Sequence, residues 1–449
     1  MLRRKLSLRR VFAWVGASLG ALVLAVALLF LVLGGVILNR YGKGKAEGAF
    51  ADVFPGYVLR LGELDYALGA NRLVAQSATL SGTNATLKSG RILLTGVSWA
   101  RLLRGRSALV DVLAKASLDV TNLDLEFPKA HYELRCERLR ASMPGSELIA
   151  EGAELRPLVG DEELFASEAF RVTRFHVVVP ECRVLGLALA ELLQGKSYRA
   201  KSINFFHPSF EALVNRDKPR QPFLRSPLMP QEALASLRQP LQVGVLNVTN
   251  GQLRYCERLA IGADPAVLTI GALNLSVEGL ANQGDATAAV QLRGQGDLMN
   301  AGTMKVSMSI PMSSTNFSLD YSGSLNDMDL TRLDAFLDVA EHTRIKSGSA
   351  QEAAFDIHVT SGQATGRVSA IYKDLEIALL DKQTGNEKGA ANRLASFLAN
   401  VVKIRSANTA AGSGSSKVGT VNYARKPEDE FQQFLWFALR TGVLDIISH

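Results

Sequence analysis

The feature that most constrains the fold of this chain is a period-two alternation of apolar and polar side chains, repeated along most of the sequence after residue 50. Leu273–Val277, Phe317–Tyr321 and Phe355–Val359 are clear examples. Because successive side chains of a β-strand point to opposite faces, such runs predict strands with one dry and one wet face. Turn signals such as Asn250-Gly251 separate the runs, and long helical patterns are few. The sequence therefore predicts a mainly β fold with a few helices, arranged as an antiparallel meander rather than as βαβ units.

A second constraint lies at the amino terminus, where the run from Val11 to Leu38 carries no charge. A helix of that length reaches roughly 42 Å, more than the ~30 Å hydrocarbon core of a bilayer requires. A cleaved signal peptide is the alternative, but its apolar region spans only about 7–15 residues. More basic residues precede the run than follow it, which favours a cytoplasmic amino terminus and an exported body. We therefore predict a single-pass transmembrane anchor.

The net charge of +7 belongs almost entirely to that end of the chain. Residues 1–45 hold eight basic side chains and no acidic one, and the remaining residues hold 42 basic and 43 acidic groups. A protein that binds a polyanion concentrates positive charge on its body. This body is nearly neutral, so nucleic acid is not expected as a partner.

Composition shifts suggest how the exported body is divided. Four prolines fall between positions 215 and 230, which is typical of a crossover or linker, and residues 406–417 are rich in Ala, Gly and Ser. The last segment opens at Pro427 and continues as an apolar helical stripe. The predicted parts are a basic cytoplasmic tail (1–10), the transmembrane helix (11–38), an N-terminal β-rich part (39–214), the Pro-rich crossover (215–230), a C-terminal β part (231–405), a flexible loop (406–417), and a final strand with an apolar helix (418–449).

The sequence contains no motif typical of catalysis or of metal or cofactor binding. There is no H-E-x-x-H, no G-x-S-x-G and no C-x-x-C, and the only cysteines are Cys136, Cys182 and Cys256, far apart in the chain. Asp327 and Asp329 are spaced so that they could hold a metal together, but a turn with Asp329 capping the following helix is the favoured interpretation. We therefore expect no catalytic residue, no cofactor and no metal, and an enzyme with a dispersed site is the least favoured class.

The layout of a basic tail, one anchor and a long exported body of alternating strands resembles that of the AsmA-like proteins of Gram-negative bacteria. Four stretches carry the resemblance: Lys201–Phe210, Pro240–Tyr255, Gly366–Asp381 and Phe434–Phe437. The resemblance implies an elongated, curved β-sheet groove with an apolar concave face, anchored in the inner membrane with its body in the periplasm. It also implies a role in outer-membrane biogenesis or maintenance by binding or conveying phospholipid, without enzymatic activity.

Apolar members of the alternating strands are the candidate groove residues. They are Leu273, Leu275, Val277, Phe355, Ile357 and Val359. Their alternative role is in a closed protein core, because a lipid groove and a core share the same period. Phe434, Trp436 and Phe437 of the last helix are candidates for docking to a membrane or a partner. A scaffold or assembly factor for outer-membrane proteins, with envelope proteins as partners, is the rival function.

Overall fold

A computed structural model describes most of the chain beyond the predicted anchor. The described residues are 57–67, 71–82, 85–98, 109–219, 226–283, 289–312, 316–380, 404–409 and 416–448. Within these ranges, no helix combines the length and the apolar character needed to cross a bilayer. The predicted basic tail and transmembrane helix, residues 1–38, lie outside the described residues.

Strands dominate the described part of the chain, as the alternation predicts, and they form one mixed sheet. The strands are β1 (Tyr57–Leu61), β2 (Leu64–Ala67), β3 (Arg72–Ala75), β4 (Ala78–Gly82), β5 (Thr86–Ser89), β6 (Ile92–Thr95), β7 (Ser117–Phe127), β8 (Tyr132–Ser142), β9 (Glu147–Pro157), β10 (Thr173–Leu185), β11 (Tyr198–Phe206), β12 (Ser209–Asn215), β13 (Leu241–Arg258), β14 (Ala266–Ala281), β15 (Ala289–Leu298), β16 (Gly302–Pro311), β17 (Leu319–Asp329), β18 (Thr343–Thr360), β19 (Gln363–Leu379) and β20 (Val418–Ala424).

The helices of the described residues are few and, except for the last, short. They are α1 (Leu109–Leu113), α2 (Asp161–Ser167), α3 (Leu189–Leu193), α4 (Pro230–Ala235), a 3₁₀ turn (Leu330–Leu333) that leads into α5 (Asp334–Ala340), and α6 (Phe431–Ile447). Asp329 immediately precedes the 3₁₀ turn, and its side chain accepts a hydrogen bond from the backbone nitrogen of Thr331. Asp329 therefore caps this turn, as the sequence favoured.

The expectation of a purely antiparallel sheet is wrong. β12 and β13 pair in parallel, with Ser209 opposite Gln252 and Asn215 opposite Arg258. Parallel neighbours cannot be joined by a tight hairpin, because the chain must return to the same end of the sheet before the second strand starts. The connection from β12 to β13 includes the proline-rich segment and α4. Because β12 and β13 are parallel while the pairs described below are antiparallel, the sheet is mixed.

The chain folds into two compact units that interleave along the sequence. Unit 1 takes its described residues from Met1–Gly160, His176–Pro208 and Arg238–Gly244, and unit 2 from Asp161–Phe175, Ser209–Leu237 and Val245–His449. In unit 1, β7 pairs with both β5 and β6 at different points along its length and then with β8. β8, β9, β10 and β11 continue the antiparallel ladder.

A row of irregular backbone crosses the middle of β7, β8 and β9. Asn122 of β7 and Gly152 of β9 both have positive φ, at 51° and 61°, and both lie opposite Glu137 of β8. A Cβ atom at Gly152 would be 2.5 Å from the Glu137 side chain, so a larger residue would have to displace that side chain and would be strained at this positive φ. The row shifts the phase of the alternation, since Val120 and Leu123 are both buried although they are three residues apart.

Unit 2 is built on the antiparallel ladder that runs from β14 through β20, with α6 packed on β19 and β20. Phe434 and Ala438 of α6 are fully buried in the core of this unit. The Tyr321 hydroxyl donates a hydrogen bond to the Leu435 carbonyl at 3.1 Å. The helix approaches the strand closely, because a Cβ atom added to Gly419 of β20 would lie 2.0 Å from the Gly442 carbonyl oxygen of α6.

Candidate functional site

The six groove candidates all lie on strands of unit 2, in two groups. Leu273, Leu275 and Val277 lie on β14 and are half-buried. Phe355 on β18 is also half-buried, whereas Ile357 and Val359 are buried at 0% and 3% exposure. The two groups are not neighbours, since β15, β16 and β17 lie between them.

Register nevertheless places both groups on the same face of the ladder. The row through Val277 continues across β15 to β18 as Leu292, Met308, Tyr321 and Ile357. Burial increases along this row, from half-buried at Val277 and Leu292 to fully buried at Ile357. The β18 end of the face is therefore part of a closed core with α6. The β14 end stays partly open to solvent.

We call the open end of this ladder the unit 2 apolar face. Its members are apolar side chains that are each half-buried and that occupy adjacent strands of one face: Leu273, Leu275 and Val277 on β14, Leu292 on β15, and Met304 and Val306 on β16. Three of the six groove candidates belong to it. Any role of these residues in contacting lipid stays a prediction.

The three docking candidates of α6 have different surroundings. Phe434 has no exposed surface, and its ring packs edge-on against Phe317 at a centroid distance of 5.1 Å. Phe437 is half-buried, and its ring lies 5.9 Å from that of Tyr423. Trp436 is 46% exposed and is therefore the candidate with a side chain on the surface.

A second open apolar face lies in unit 1, on residues that the sequence analysis did not select. We call it the unit 1 apolar face. Its members are all half-buried and lie on one face of three paired strands: Ala150, Ala153 and Leu155 on β9, Val177, Val179, Cys182 and Val184 on β10, and Ile203 and Phe205 on β11.

The alternation on β10 explains why this face was missed. Val177 and Val179 are one residue out of phase with Cys182 and Val184, because Pro180 lies opposite the positive-φ residue Gly152. A search for unbroken alternation passes over such a strand. The sequence signal for this face is a pair of short apolar–polar alternations, one on each side of Pro180, that are out of phase by one residue.

The apolar face of unit 1 closes toward β7 and β8 and opens toward β11. On β7, Val120, Leu123 and Leu125 are at most 4% exposed, and on β8 Leu139 is 1% exposed. The apolar members on β9, β10 and β11 that make up the unit 1 apolar face are all half-buried. Partly exposed apolar side chains that are contiguous over three strands mark a surface suited to an apolar ligand.

The opposite face of the same strands is charged and wet. Ion pairs cross it from strand to strand: Lys88–Glu126, Arg138–Asp119, Arg140–Glu151 and Arg156–Glu133. The Nε2 of His176 also lies 2.8 Å from Oε1 of Glu154. Apart from Glu133, which is buried, the side chains of these pairs remain partly exposed, so the pairs between exposed groups contribute little to stability on their own. Together they define which face of the ladder meets water, so the apolar face is the one available for a ligand that avoids water.

The described residues contain no cluster of His, Cys, Asp and Glu that could hold a metal ion. Cys136, Cys182 and Cys256 are all free thiols. Burial raises the pKa of the Cys182 thiol to about 12, so this thiol is not activated as a nucleophile at neutral pH. His358 lies on the wet face of β18, where its Nδ1 is 2.7 Å from Asp320 Oδ1 and the pKa of its ring is raised by that hydrogen bond.

The chain was compared with protein-family models and with curated proteins. No family model matches it, and no curated protein matches it either.

Proposed function

We propose that the protein binds the acyl chains of lipids along its open apolar faces. The observation that carries the proposal is the unit 1 apolar face, where nine half-buried apolar side chains are contiguous on β9, β10 and β11 while the reverse face is charged. Each methylene group of an acyl chain that leaves water gains about 0.8 kcal/mol. A ligand that covers this face would therefore gain binding free energy from two sources: burial of its own apolar surface and burial of the apolar protein side chains.

The unit 2 apolar face supports the same function independently. It offers half-buried apolar residues on β14, β15 and β16, and three of them were groove candidates from the sequence. The resemblance to AsmA-like proteins adds the rest of the proposal: an elongated, curved groove, an inner-membrane anchor at residues 11–38, a periplasmic body, and phospholipid as the lipid that is bound or conveyed.

Adjacent valines on β10 allow a matched test. Val179 belongs to the unit 1 apolar face, whereas Val178 lies on the reverse face, opposite Glu154. Val179→Asn should reduce the phospholipid that co-purifies with the full chain at least fivefold, measured by lipid extraction and mass spectrometry. Val178→Asn changes the same side chain on the same strand and should leave the lipid content unchanged.

Two results would count against lipid binding. One is a purified protein that carries no phospholipid beyond that of an unrelated single-pass membrane protein prepared in the same way. The other is an equal loss in Val179→Asn and Val178→Asn, which would indicate a general effect on the strand rather than on one face.

A scaffold for outer-membrane proteins is the second candidate function, and exposed Trp436 is the observation that favours it. A photo-activated cross-linker placed at position 436 should then capture envelope proteins. Cross-links to lipid alone would favour the first proposal.

A further inference from the structure

Unit 2 contains three arginines that the acyl-chain proposal does not use: Arg174 and Arg258, which are buried, and Arg254, which is exposed. The parallel pairing of β12 and β13 places three pairs of side chains on one face of these strands: Glu211 with Arg254, Leu213 with Cys256, and Asn215 with Arg258. The short helix α2 lies on this face, with Phe165 packed against Leu213 and Cys256 in a small apolar cluster. The face is thus covered by a seven-residue helix.

Two carboxylates of α2 neutralise arginines under the helix. The side chain of Arg258 is 6% exposed, and its two terminal nitrogens lie 2.7 and 3.3 Å from the carboxylate oxygens of Glu162. Arg174 is 10% exposed, and its Nε and Nη2 each donate to Asp161 at 2.9 Å. Both arrangements are bidentate, which is the geometry in which arginine binds carboxylate or phosphate.

Further polar atoms under α2 have no partner. Asn215 is 1% exposed, and neither its amide nitrogen nor its amide oxygen has a hydrogen-bond partner among the described residues. The Nε of Arg258, its neighbour in register, is also buried without a partner there. Unpartnered buried polar atoms are costly and are usually explained by a function or by a bound group. The two residues that carry these unused N–H donors are cross-strand neighbours on one face.

The charge balance of the face depends on α2. With the helix in place, Arg174, Arg254 and Arg258 are matched by Asp161, Glu162 and Glu211. Without Asp161 and Glu162, three arginines would face a single carboxylate. A dianionic oxyanion would then restore the balance and could accept hydrogen bonds from the unused donors of Asn215 and Arg258.

We propose that this face of β12 and β13 is a binding site for a phosphate group. In the structure, the Asp161 and Glu162 carboxylates of α2 occupy this site. α2 is then an internal competitor that an external phosphate group displaces. The phosphate can belong to a free anion or to a lipid headgroup, since the arginines recognise the same oxygens in both. The site does not depend on the apolar faces, so it stands or falls separately from acyl-chain binding.

The test removes the competitor without removing the arginines. Asp161→Asn/Glu162→Gln keeps the shape of α2 and deletes both charges. In isothermal titration of the full chain, inorganic phosphate should bind this variant at least tenfold more tightly than the unchanged protein. Adding Arg258→Met to the same variant should abolish the gain. A second titration with dihexanoyl phosphatidic acid below its micelle concentration shows whether a lipid headgroup is also accepted.

Glu163→Gln is the matched control, because Glu163 is the third acid in the first turn of α2 and, unlike Asp161 and Glu162, forms no ion pair with Arg174 or Arg258 among the described residues. Its phosphate affinity should equal that of the unchanged protein. The proposal is overturned if neither phosphate compound binds Asp161→Asn/Glu162→Gln more tightly, if Glu163→Gln gives the same gain, or if the gain survives Arg258→Met. A thermal melt of each variant, in chloride at matched ionic strength, verifies that the variants are folded.

Discussion

Truncation of Phe434 tests whether α6 is an integral part of the unit 2 core. The side chain has no exposed surface, and its ring packs against those of Phe317 and Tyr423 at centroid distances of 5.1 and 5.8 Å. Phe434→Ala removes these contacts and leaves a cavity between α6 and the sheet. Substitutions of this kind cost about 3–5 kcal/mol in well-packed cores.

We therefore expect Phe434→Ala to lower the free energy of unfolding by about 4 kcal/mol, since the site has no route to collapse without moving the helix. That amount is a large share of the roughly 5–15 kcal/mol that stabilises a typical domain. It corresponds to about three orders of magnitude in the unfolding equilibrium. Guanidinium unfolding of the full chain, followed by near-ultraviolet circular dichroism, measures it as a shift of the midpoint.

Trp436→Ala is the matched control on the same helix, because this larger aromatic side chain is 46% exposed. Its cost should be about 1 kcal/mol or less, as for other surface substitutions. The reasoning is refuted if Phe434→Ala costs less than about 1 kcal/mol, or if both variants cost the same. Either result would mean that α6 is not held by its buried face.

Three further predictions concern the helix contact, a thiol and a surface histidine. Gly442→Ala should lower the melting temperature despite the better helix propensity of alanine, because the new Cβ would lie 2.4 Å from Val368 Cγ2. A rise in the melting temperature would contradict the close approach of α6 to the sheet. Cys182 should react with Ellman's reagent at pH 8 at least 100-fold more slowly than free cysteine, since its thiol pKa is raised to about 12; reaction at the free rate would place the thiol in solvent. In an NMR titration, the pKa of His358 should lie above its ordinary value and fall in Asp320→Asn, because the hydrogen bond favours the charged ring. Its small stabilising effect is therefore full at low pH and lost as the pH rises through the raised pKa; an unchanged pKa in the variant would show that the pair does not form in solution.

The strand pattern could be predicted from the sequence because it depends on local alternation. The runs at Leu273–Val277 and Phe355–Val359 both fall within strands, and Asp329 caps the turn that follows β17. Burial could not be predicted in the same way. Val277 and Ile357 look alike in sequence, and only the position of α6 makes the second fully buried and leaves the first partly exposed.

Long-range pairing was also beyond local pattern. Nothing in the alternation of β12 and β13 shows that they pair in parallel, because the direction of a strand depends on how the intervening segment returns. The arginine group under α2 was missed for the same reason. Glu162 and Arg258 are 96 residues apart in sequence, and only the pairing of β12 with β13 places Asn215 beside them.

The interleaving of the two units has a consequence for synthesis and for experiments with fragments. The chain passes five times between the units, and unit 1 lacks its last segment until Gly244 has been made. α2 is synthesised well before Arg258, so Glu162 cannot form its ion pair with Arg258 until that later segment has been made. No single cut can release either unit intact, and a truncated chain that ends before residue 244 is expected to expose strand edges and be held by chaperones. Circular permutants or split chains that keep all three segments of a unit are the fragments from which an isolated unit can be obtained.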